Sequence, residues 1–422
     1  MRHSIPADAC GAQTGPMTAA VDACVHCGFC LATCPTYVEL GEEMDSPRGR
    51  IVLMKETLEG QLEIDDALPY IDNCLGCLAC ETACPSGVEY GALLTPFRAL
   101  AETQRTRPLP SRLERVLVGR TLPHPRRFRA AVRLGAVARR VARRLPGGGG
   151  AALRLVPDRV PPAAPLPALF PAEGEVRARV ALLEGCAQRV VAPEIGWAAL
   201  RVLSRNGVEV TTNAGQSCCG ALALHTGAAD DARRFARRNI DAFSRAEIVV
   251  TTTAGCGSGM REYGHLFAGE SDEEDARALA ARTVDVAAFL ADLGLREPPP
   301  PIPPTLVAYQ DACHLRHAQR VHREPRELLA SVPGLTIAEP AEPELCCGSA
   351  GTYNIERPDI AGRLGERKAR NLIDTGAAVI ASGNVGCIMQ LRTHLREAGA
   401  SVPVLHTLEV LDRAYAGLQL SA

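Results

Sequence analysis

Two stretches of the chain carry cysteines at one repeated spacing. C-V-H-C-G-F-C-L-A-T-C-P at 24–35 and C-L-G-C-L-A-C-E-T-A-C-P at 74–85 are both C-x2-C-x2-C-x3-C-P. Three thiolates at two-residue intervals wrap three corners of a 4Fe-4S cubane from one turn of chain, and the fourth corner needs a cysteine from elsewhere. In two-cluster ferredoxins the fourth cysteine of each run ligates the other cluster. That rule assigns Cys24, Cys27, Cys30 and Cys84 to one cluster, and Cys74, Cys77, Cys80 and Cys34 to the second. Pro35 and Pro85 turn the chain away without leaving an amide hydrogen unpaired, and Gly28 and Gly76 give the backbone room beside the inorganic core. A zinc knuckle is the competing reading of a C-x2-C pair. Zinc sites are built from pairs of pairs, whereas each run here supplies a triplet, a fourth cysteine and a proline.

Eight further cysteines repeat in register. Cys186, Cys218, Cys219 and Cys256 return as Cys313, Cys346, Cys347 and Cys387, at separations of 127, 128, 128 and 131 residues, and each adjacent pair precedes a glycine, Gly220 or Gly348. An internal duplication explains this, with the halves expected about a pseudo-two-fold axis. The functional reading is a second thiolate site, a third iron-sulfur centre or a shared redox pocket; the alternative is buried, redox-inert thiols. Cys10 has no partner at ligand spacing and reads as an incidental thiol.

The elements that must position these thiols follow from the apolar pattern. Residues 1–20, with Pro6, Gly11, Gly15 and Pro16, read as a flexible lead-in. Between the two runs lie 38 residues, and 47–60 carry Ile51, Leu53, Met54 and Leu58 at near-helical spacing, with Pro47 in the first turn. Arg48, Arg50 and Lys55 there either offset cluster charge or form a solvated face. The cluster runs are thus expected in an all-helical ferredoxin-like domain at 21–104. After it, 180–183, 208–211 and 248–252 read as strands and 194–203 and 228–243 as helices. In the second unit 306–309, 335–337 and 378–381 read as strands and 326–329 and 360–373 as helices. Alternation of this kind predicts parallel sheets covered by helices, with ligand-binding loops after the strands. The fold class is α+β multidomain: the helical two-cluster domain, then a duplicated α/β cysteine-rich domain with units at 176–297 and 305–420.

Between them lie two segments of unusual composition. From Arg105 to Arg144 thirteen arginines stand against one acid, Glu114. Within this basic helical segment at 105–145, Phe128, Val132, Gly135 and Arg139, with Val137, Val141 and Leu145, set an apolar side against basic residues. Such a helix either faces an anionic membrane or an acidic partner, or packs on its own domain. Residues 146–175, with four consecutive glycines and then six prolines, read as a linker without a core.

Whole-chain properties bound the function. At 422 residues the chain calls for about three domains. A formal charge of −2 argues against nucleic acid. The polar, proline-interrupted N-terminus lacks an apolar leader, so the seventeen cysteines point to the reducing cytosol rather than to disulfides. No run of 18 apolar residues offers a bilayer span. No G-x-G-x-x-G follows a strand, so neither flavin nor nicotinamide is expected on this chain.

Taken together, A-C-V-H-C-G-F-C at 23–30, C-P-T-Y at 34–37, S-P-R-G-R-I at 46–51, C-E-T-A-C-P-S-G-V at 80–88, L-E-G-C-A-Q at 183–188 and C-C-G-S-A-G-T-Y at 346–353 resemble the iron-sulfur subunits of glycolate oxidase. The resemblance covers nearly the whole chain and is weakest over the arginine-rich segment and linker. It implies a glycolate dehydrogenase complex in which FAD-bearing partner subunits oxidise glycolate to glyoxylate. This chain, with no catalytic residue for the substrate, would pass electrons to a quinone-type membrane acceptor, and would be cytoplasmic or peripheral on the inner membrane face. The paired-cysteine units also look like those of lactate and glycerol-3-phosphate dehydrogenase partners and of heterodisulfide reductases, which supply the alternative functions. In the last of these the final cysteine belongs to a C-x2-C pair; here Gly259 and Gln390 stand at the second positions, which tells against a five-thiolate centre and a thiol enzyme. His314, next to Cys313, is a candidate assistant at the second site or a satisfied loop residue.

Overall fold

The computed structural model describes residues 4–142 and 147–421. The cluster runs lie in a helical domain built from Thr14–Asp22, Pro35–Leu40, Pro47–Leu58, Ile64–Asn73, Ala79–Thr82 and Tyr90–Gln104. Met17, Met54, Ile71, Leu93 and Phe97 form its core, all fully buried. Pro47–Leu58 begins as its residues predict: Ser46 caps it by accepting from the Gly49 amide, and Pro47 occupies the first turn. A Cβ on Gly49 would stand 2.1 Å from the Glu43 carbonyl oxygen, so only glycine lets the two segments meet there.

The lead-in expected at 1–20 is corrected from Thr14 onward. Thr14–Asp22 is a helix whose Met17, Ala20 and Val21, at i, i+3 and i+4 spacing, are buried against Tyr90–Gln104. Three apolar residues make too short a pattern to register in sequence, yet they suffice once a partner helix lies alongside.

The duplicated part holds two sheets. The first consists of β1 (Leu169–Phe170), β2 (Ala178–Leu183), β3 (Val208–Thr212), β4 (Val249–Thr251) and β5 (Thr283–Asp285), in the order β1-β3-β2-β4-β5. The second consists of β6 (Thr305–Gln310), β7 (Leu335–Ala338), β8 (Val379–Ser382) and β9 (Val404–His406), in the order β7-β6-β8-β9. All pairings are parallel except β1 on β3. The common order puts the first strand of each unit between its second and third, so each sheet has a switch point where loops diverge to opposite faces.

The two units exchange helices reciprocally. Glu194–Arg205 of the first packs on Thr407–Tyr415 of the second, and Glu324–Ala330 of the second packs on Val286–Leu293 of the first. One hydrophobic core runs through both, from Val180 and Leu203 to Tyr309 and Leu411. That reciprocity is what a pseudo-two-fold axis produces.

The linker expected at 146–175 carries more structure than its composition suggests. Gly147–Leu155 is helical with Ala151 buried, Leu166 packs against the shared core, and Leu169–Phe170 becomes the antiparallel edge strand. The arginine-rich segment forms two helices, Leu109–Thr121 and Pro125–Ala142. Phe128 and Val132 pack into a core with Val190, Ile195 and Ile388, so that part of the apolar side lies on this chain's own domain, while Val137 of the same side is exposed. Leu145 and the side chain of Val141 lie outside the described residues.

Candidate functional site

Both cluster runs adopt the same unusual backbone. His26 and Gly76, at equivalent positions, have φ of 56° and 63°; Gly28 and Leu78, also equivalent, have φ of 85° and 61°. Left-handed backbone costs a non-glycine residue about 1 kcal/mol, and both loops adopt it with histidine or leucine where the other has glycine. What Gly28 and Gly76 share is therefore a left-handed turn that keeps three thiols on the inside of a loop, rather than an equivalent position beside the core.

Cys84 lines one cavity with Cys24, Cys27, Cys30 and its own neighbour Cys80, while Cys34 lies near enough to Cys77 and Cys80, and also to Cys30, for its charge to act on them. The first cavity is at the surface: Cys27 is exposed, and beside it Val25 and Phe29 are 67% and 69% exposed. The second group is interior, with Cys34 and Cys77 buried. Among the described residues no three His, Cys, Asp or Glu side chains converge as a single metal ion requires. Thiols spread around a cavity suit a multi-iron core better than one zinc, whose bonds to sulfur are about 2.3 Å.

Arginines attend these thiols. Arg50 is 1% exposed; its Nη2 donates to Asp45 Oδ1 at 2.8 Å, its Nε to the Tyr70 carbonyl at 2.7 Å, and its Nη1 lies 3.8 Å from Cys34 Sγ. Burial pushes the Cys74 thiol up, but Arg50 and Arg98 outweigh it, aided by the Gly76 amide 3.4 Å from the sulfur, and the net displacement is down. Cys77 and Cys80, without such cations, are pushed well up by burial and by neighbouring thiols. Arg48 holds Glu43 and the His26 carbonyl beside the first cavity. Lys55 pairs instead with Glu56 and Glu59 and takes no part. Arg98, and Tyr90 whose hydroxyl donates toward Cys74 Sγ at 3.8 Å, were not legible as site residues, because neither stands within a ligand spacing.

The eight in-register cysteines all line one cavity of about 240 Å³ between the two units. Each stands after the carboxyl end of a strand: Cys186 after β2, the Cys218–Cys219 pair after β3, and Cys256 in the first turn of Ala254–Arg261 after β4. Cys313, Cys346–Cys347 and Cys387 follow β6, β7 and β8 in the same way. Cys186 and Cys218 sulfurs are 3.4 Å apart, and those of Cys313 and Cys346 3.8 Å. Hydrogen bonds from Cys186 and Cys219 hold the Cys218 thiol well below its ordinary range, and Cys346 and Cys387 do the same for Cys347. Each half thus favours one thiolate, the form that binds metal.

This cavity adjoins the second cluster run. Cys74 and Leu75 are in its wall, and Cys77 packs in one buried cluster with Cys313 and Cys346. His314 bonds through Nε2 to the Gly76 carbonyl at 2.9 Å, and its ring lies 5.0 Å from that of His225, which pairs with Glu262 at 2.9 Å. Burial pushes the His314 imidazole down to about 4, so it stays neutral and joins the two domains as a donor. The positions lacking the second C-x2-C cysteine are closed. A Cβ on Gly259 would fall 2.4 Å from that of Ala221, and Gln390 is buried and bonded to Asn354 and the Ala361 carbonyl.

Family models match these parts separately: a 4Fe-4S dicluster domain over 20–88 and a cysteine-rich domain twice, over 180–261 and 307–392. The chain is 38% identical to the glycolate oxidase iron-sulfur subunit of Escherichia coli, over 93% of each chain. The chain belongs to the family of glycolate oxidase iron-sulfur subunits. Another member, the probable glycolate oxidase iron-sulfur subunit of Bacillus subtilis, is 34% identical over 93% of each chain. Lactate utilization protein A of Oceanobacillus iheyensis is 32% identical over 56% of this chain and 96% of its own. A crystal structure of a hypothetical protein from Helicobacter pylori shares the fold, with a TM-score of 0.52 at 11% identity over 87% of this chain and 67% of that one. Membership makes this chain an iron-sulfur subunit of an oxidoreductase with a duplicated cysteine-rich domain.

Proposed function

We propose that the chain is the electron-transfer subunit of a glycolate dehydrogenase complex, receiving electrons from flavin-bearing partners that oxidise glycolate to glyoxylate and passing them to a quinone-type acceptor. Cys24, Cys27, Cys30 and Cys84 hold one 4Fe-4S cluster, and Cys74, Cys77, Cys80 and Cys34 the other. What supports this reading is that Cys84 shares a cavity wall with Cys24, Cys27 and Cys30 and that Cys34 lies near Cys77 and Cys80. A single observation carries the direction of flow: one thiol group at the surface, one buried, and a third whose cavity wall includes Cys74 of the second. An exposed entry, an interior relay and a cavity wide enough for a ligand form an ordered path. Iron-sulfur clusters supply one-electron steps there; this chain's residues hold them, exclude water from the second, and place Arg50 and Arg98 against its charge. Cys186, Cys218, Cys219 and Cys256, with Cys313, Cys346, Cys347 and Cys387, form the further thiolate centre, and His314 bridges to it.

The test is the assembled complex with Cys219→Ser or Cys347→Ser. Iron content should stay at or above the about eight irons of two cubanes and glycolate should still reduce the partner flavin, while electron delivery to quinone is lost. Unaltered quinone reduction in both variants would make the duplicated domain a scaffold.

A further inference from the structure

The two arginine-rich helices turn an unexpected face outward. Phe128 and Val132 point into the protein, but Leu109, Leu113, Val116 and Leu117 on Leu109–Thr121, and Leu134 and Val137 on Pro125–Ala142, are exposed, Leu109, Leu134 and Val137 to 72%. Twelve large hydrophobic residues stand exposed among the described residues, and these six of them fall within one helix pair, so the exposure is concentrated rather than scattered. Arg112, Arg120, Arg126, Arg127 and Arg133 are exposed between them. With thirteen arginines and one acid, 105–144 carries +12 on a chain whose total is −2, so the remainder is −14. Leucine and valine interleaved with arginine, and no acid from 115 to 157, suit a surface that is apolar within and anionic at its rim. No helix among the described residues is long and apolar enough to cross a membrane, so this face would lie on one.

Beneath the helix pair runs a groove of about 590 Å³. Its outer wall includes Val116, Gly119 and Arg120 of the exposed helix; its inner end reaches Phe235 and Cys218, the latter also in the wall of the eight-thiol cavity. The Arg115 guanidinium, bonded to the Thr226 carbonyl, fastens the helix across it.

We infer that the helix pair docks on an anionic bilayer and that the groove beneath it admits a lipophilic quinone from that bilayer to the Cys218 end of the thiol cavity. This rests on the reading of the chain as an electron-transfer subunit. The electrons balance: the partner's hydroxy acid gives up two, they cross this chain singly, and the quinone takes both with two protons from water at the groove mouth to leave as quinol. An acidic protein on the same face is the competing occupant, but it would not account for a groove that opens there and ends at a thiol.

The experiment uses the assembled complex with phosphatidylglycerol vesicles, neutral phosphatidylcholine vesicles and ubiquinone-loaded phosphatidylglycerol vesicles. The complex should float with anionic vesicles and not with neutral ones. Leu109→Ser, Leu113→Ser and Leu117→Ser together should reduce flotation at least tenfold while the visible spectrum and the partner flavin subunits are retained. Gly119→Phe, at a position where a Cβ meets nothing within 4 Å, should leave flotation and glycolate-driven reduction of ferricyanide unchanged but lower reduction of vesicle ubiquinone at least tenfold. Equal flotation of parent and triple variant, or loss of the flavin subunits on triple substitution, overturns the docking. Unaltered ubiquinone reduction in Gly119→Phe overturns the groove. Failure of ferricyanide reduction in the parent complex would instead strike the electron-transfer reading itself.

Discussion

Cys84 stands four residues from Cys80 and shares a cavity wall with Cys24, Cys27 and Cys30 of the first run. Replacing it by serine is therefore expected to degrade the cluster of the first run and spare that of Cys74, Cys77 and Cys80. Electron paramagnetic resonance of the reduced protein resolves the two signals, and loss of the buried one instead would reverse the connectivity. Arg50 works on the other group from deep burial. Its partner Asp45 is buried too, so removing the guanidinium alone leaves an uncompensated carboxylate, a change that costs about 3–5 kcal/mol at such pairs. Arg50→Met should lower the melting temperature and the yield of clustered protein, and adding Asp45→Asn should recover a large share of the stability without restoring the positive charge beside Cys34.

The duplication offers a matched pair of helix caps at the element scale. Asp285, ending β5, caps Val286–Leu293 by accepting from the Ala287 amide; His406, ending β9, caps Thr407–Tyr415 through Nδ1, which accepts from the Leu408 amide. Both are buried, with opposite consequences. Burial pushes the Asp285 carboxyl up to about 7, against the stabilising amides and with Glu324 adding to the rise. The native state therefore prefers the protonated acid, and its stability falls as pH rises from about 4 to about 7. Burial pushes His406 down to about 4, its Nε2 donating to the Thr252 carbonyl of the other unit, so stability is lost as pH falls from about 6.5 to about 4. Asp285→Asn keeps the cap and removes the charge, and should stabilise by up to ~4 kcal/mol at pH 8 with the gain shrinking toward pH 4. His406→Asn should flatten the acid limb alone. Thermal melts across pH 4–8 measure both, and a pH-independent effect of Asp285→Asn would place the titration elsewhere.

The helical domain and the duplicated domain meet, at the scale of the whole molecule, through a few directed bonds. Arg98 donates to the Ile71 and Cys74 carbonyls on one side and the His225 carbonyl on the other; the Tyr353 hydroxyl donates to the Asn73 carbonyl at 2.8 Å; Thr82 pairs with His317 at 2.7 Å. Gly227, with φ of 84°, lets the backbones close, since a Cβ there would lie 2.5 Å from the Arg98 carbonyl oxygen. Arg98→Met should leave iron content intact but slow electron passage from the second cluster into the thiol cavity, because an added ångström of separation matters most at the narrowest junction. Stopped-flow reduction by glycolate followed by quinol formation reads this, and an unchanged rate would mean that Tyr353 and His314 suffice to hold the contact.

The two-cluster domain and the repeated cysteine-rich domain were legible in the chain, because thiolate spacing is a local property: three cysteines two residues apart converge whatever surrounds them, and eight cysteines in register announce a duplication. The parallel α/β units were legible for the same reason, since apolar strand runs such as 180–183 do not depend on their neighbours. The short strands Thr283–Asp285 and Val404–His406, and the helix Thr14–Asp22, were not, because three or four buried residues acquire meaning only against a partner element. Only the tertiary structure decided which way the arginine-rich helices face. Their sequence contains two apolar stripes, and the one carrying Phe128 and Val132 is buried because Val190, Ile195 and Ile388, contributed by both units of the duplicated domain, offer it a core. The other, with Leu109, Leu113 and Leu117, is left outside since, among the described residues, no element comes near enough to cover it.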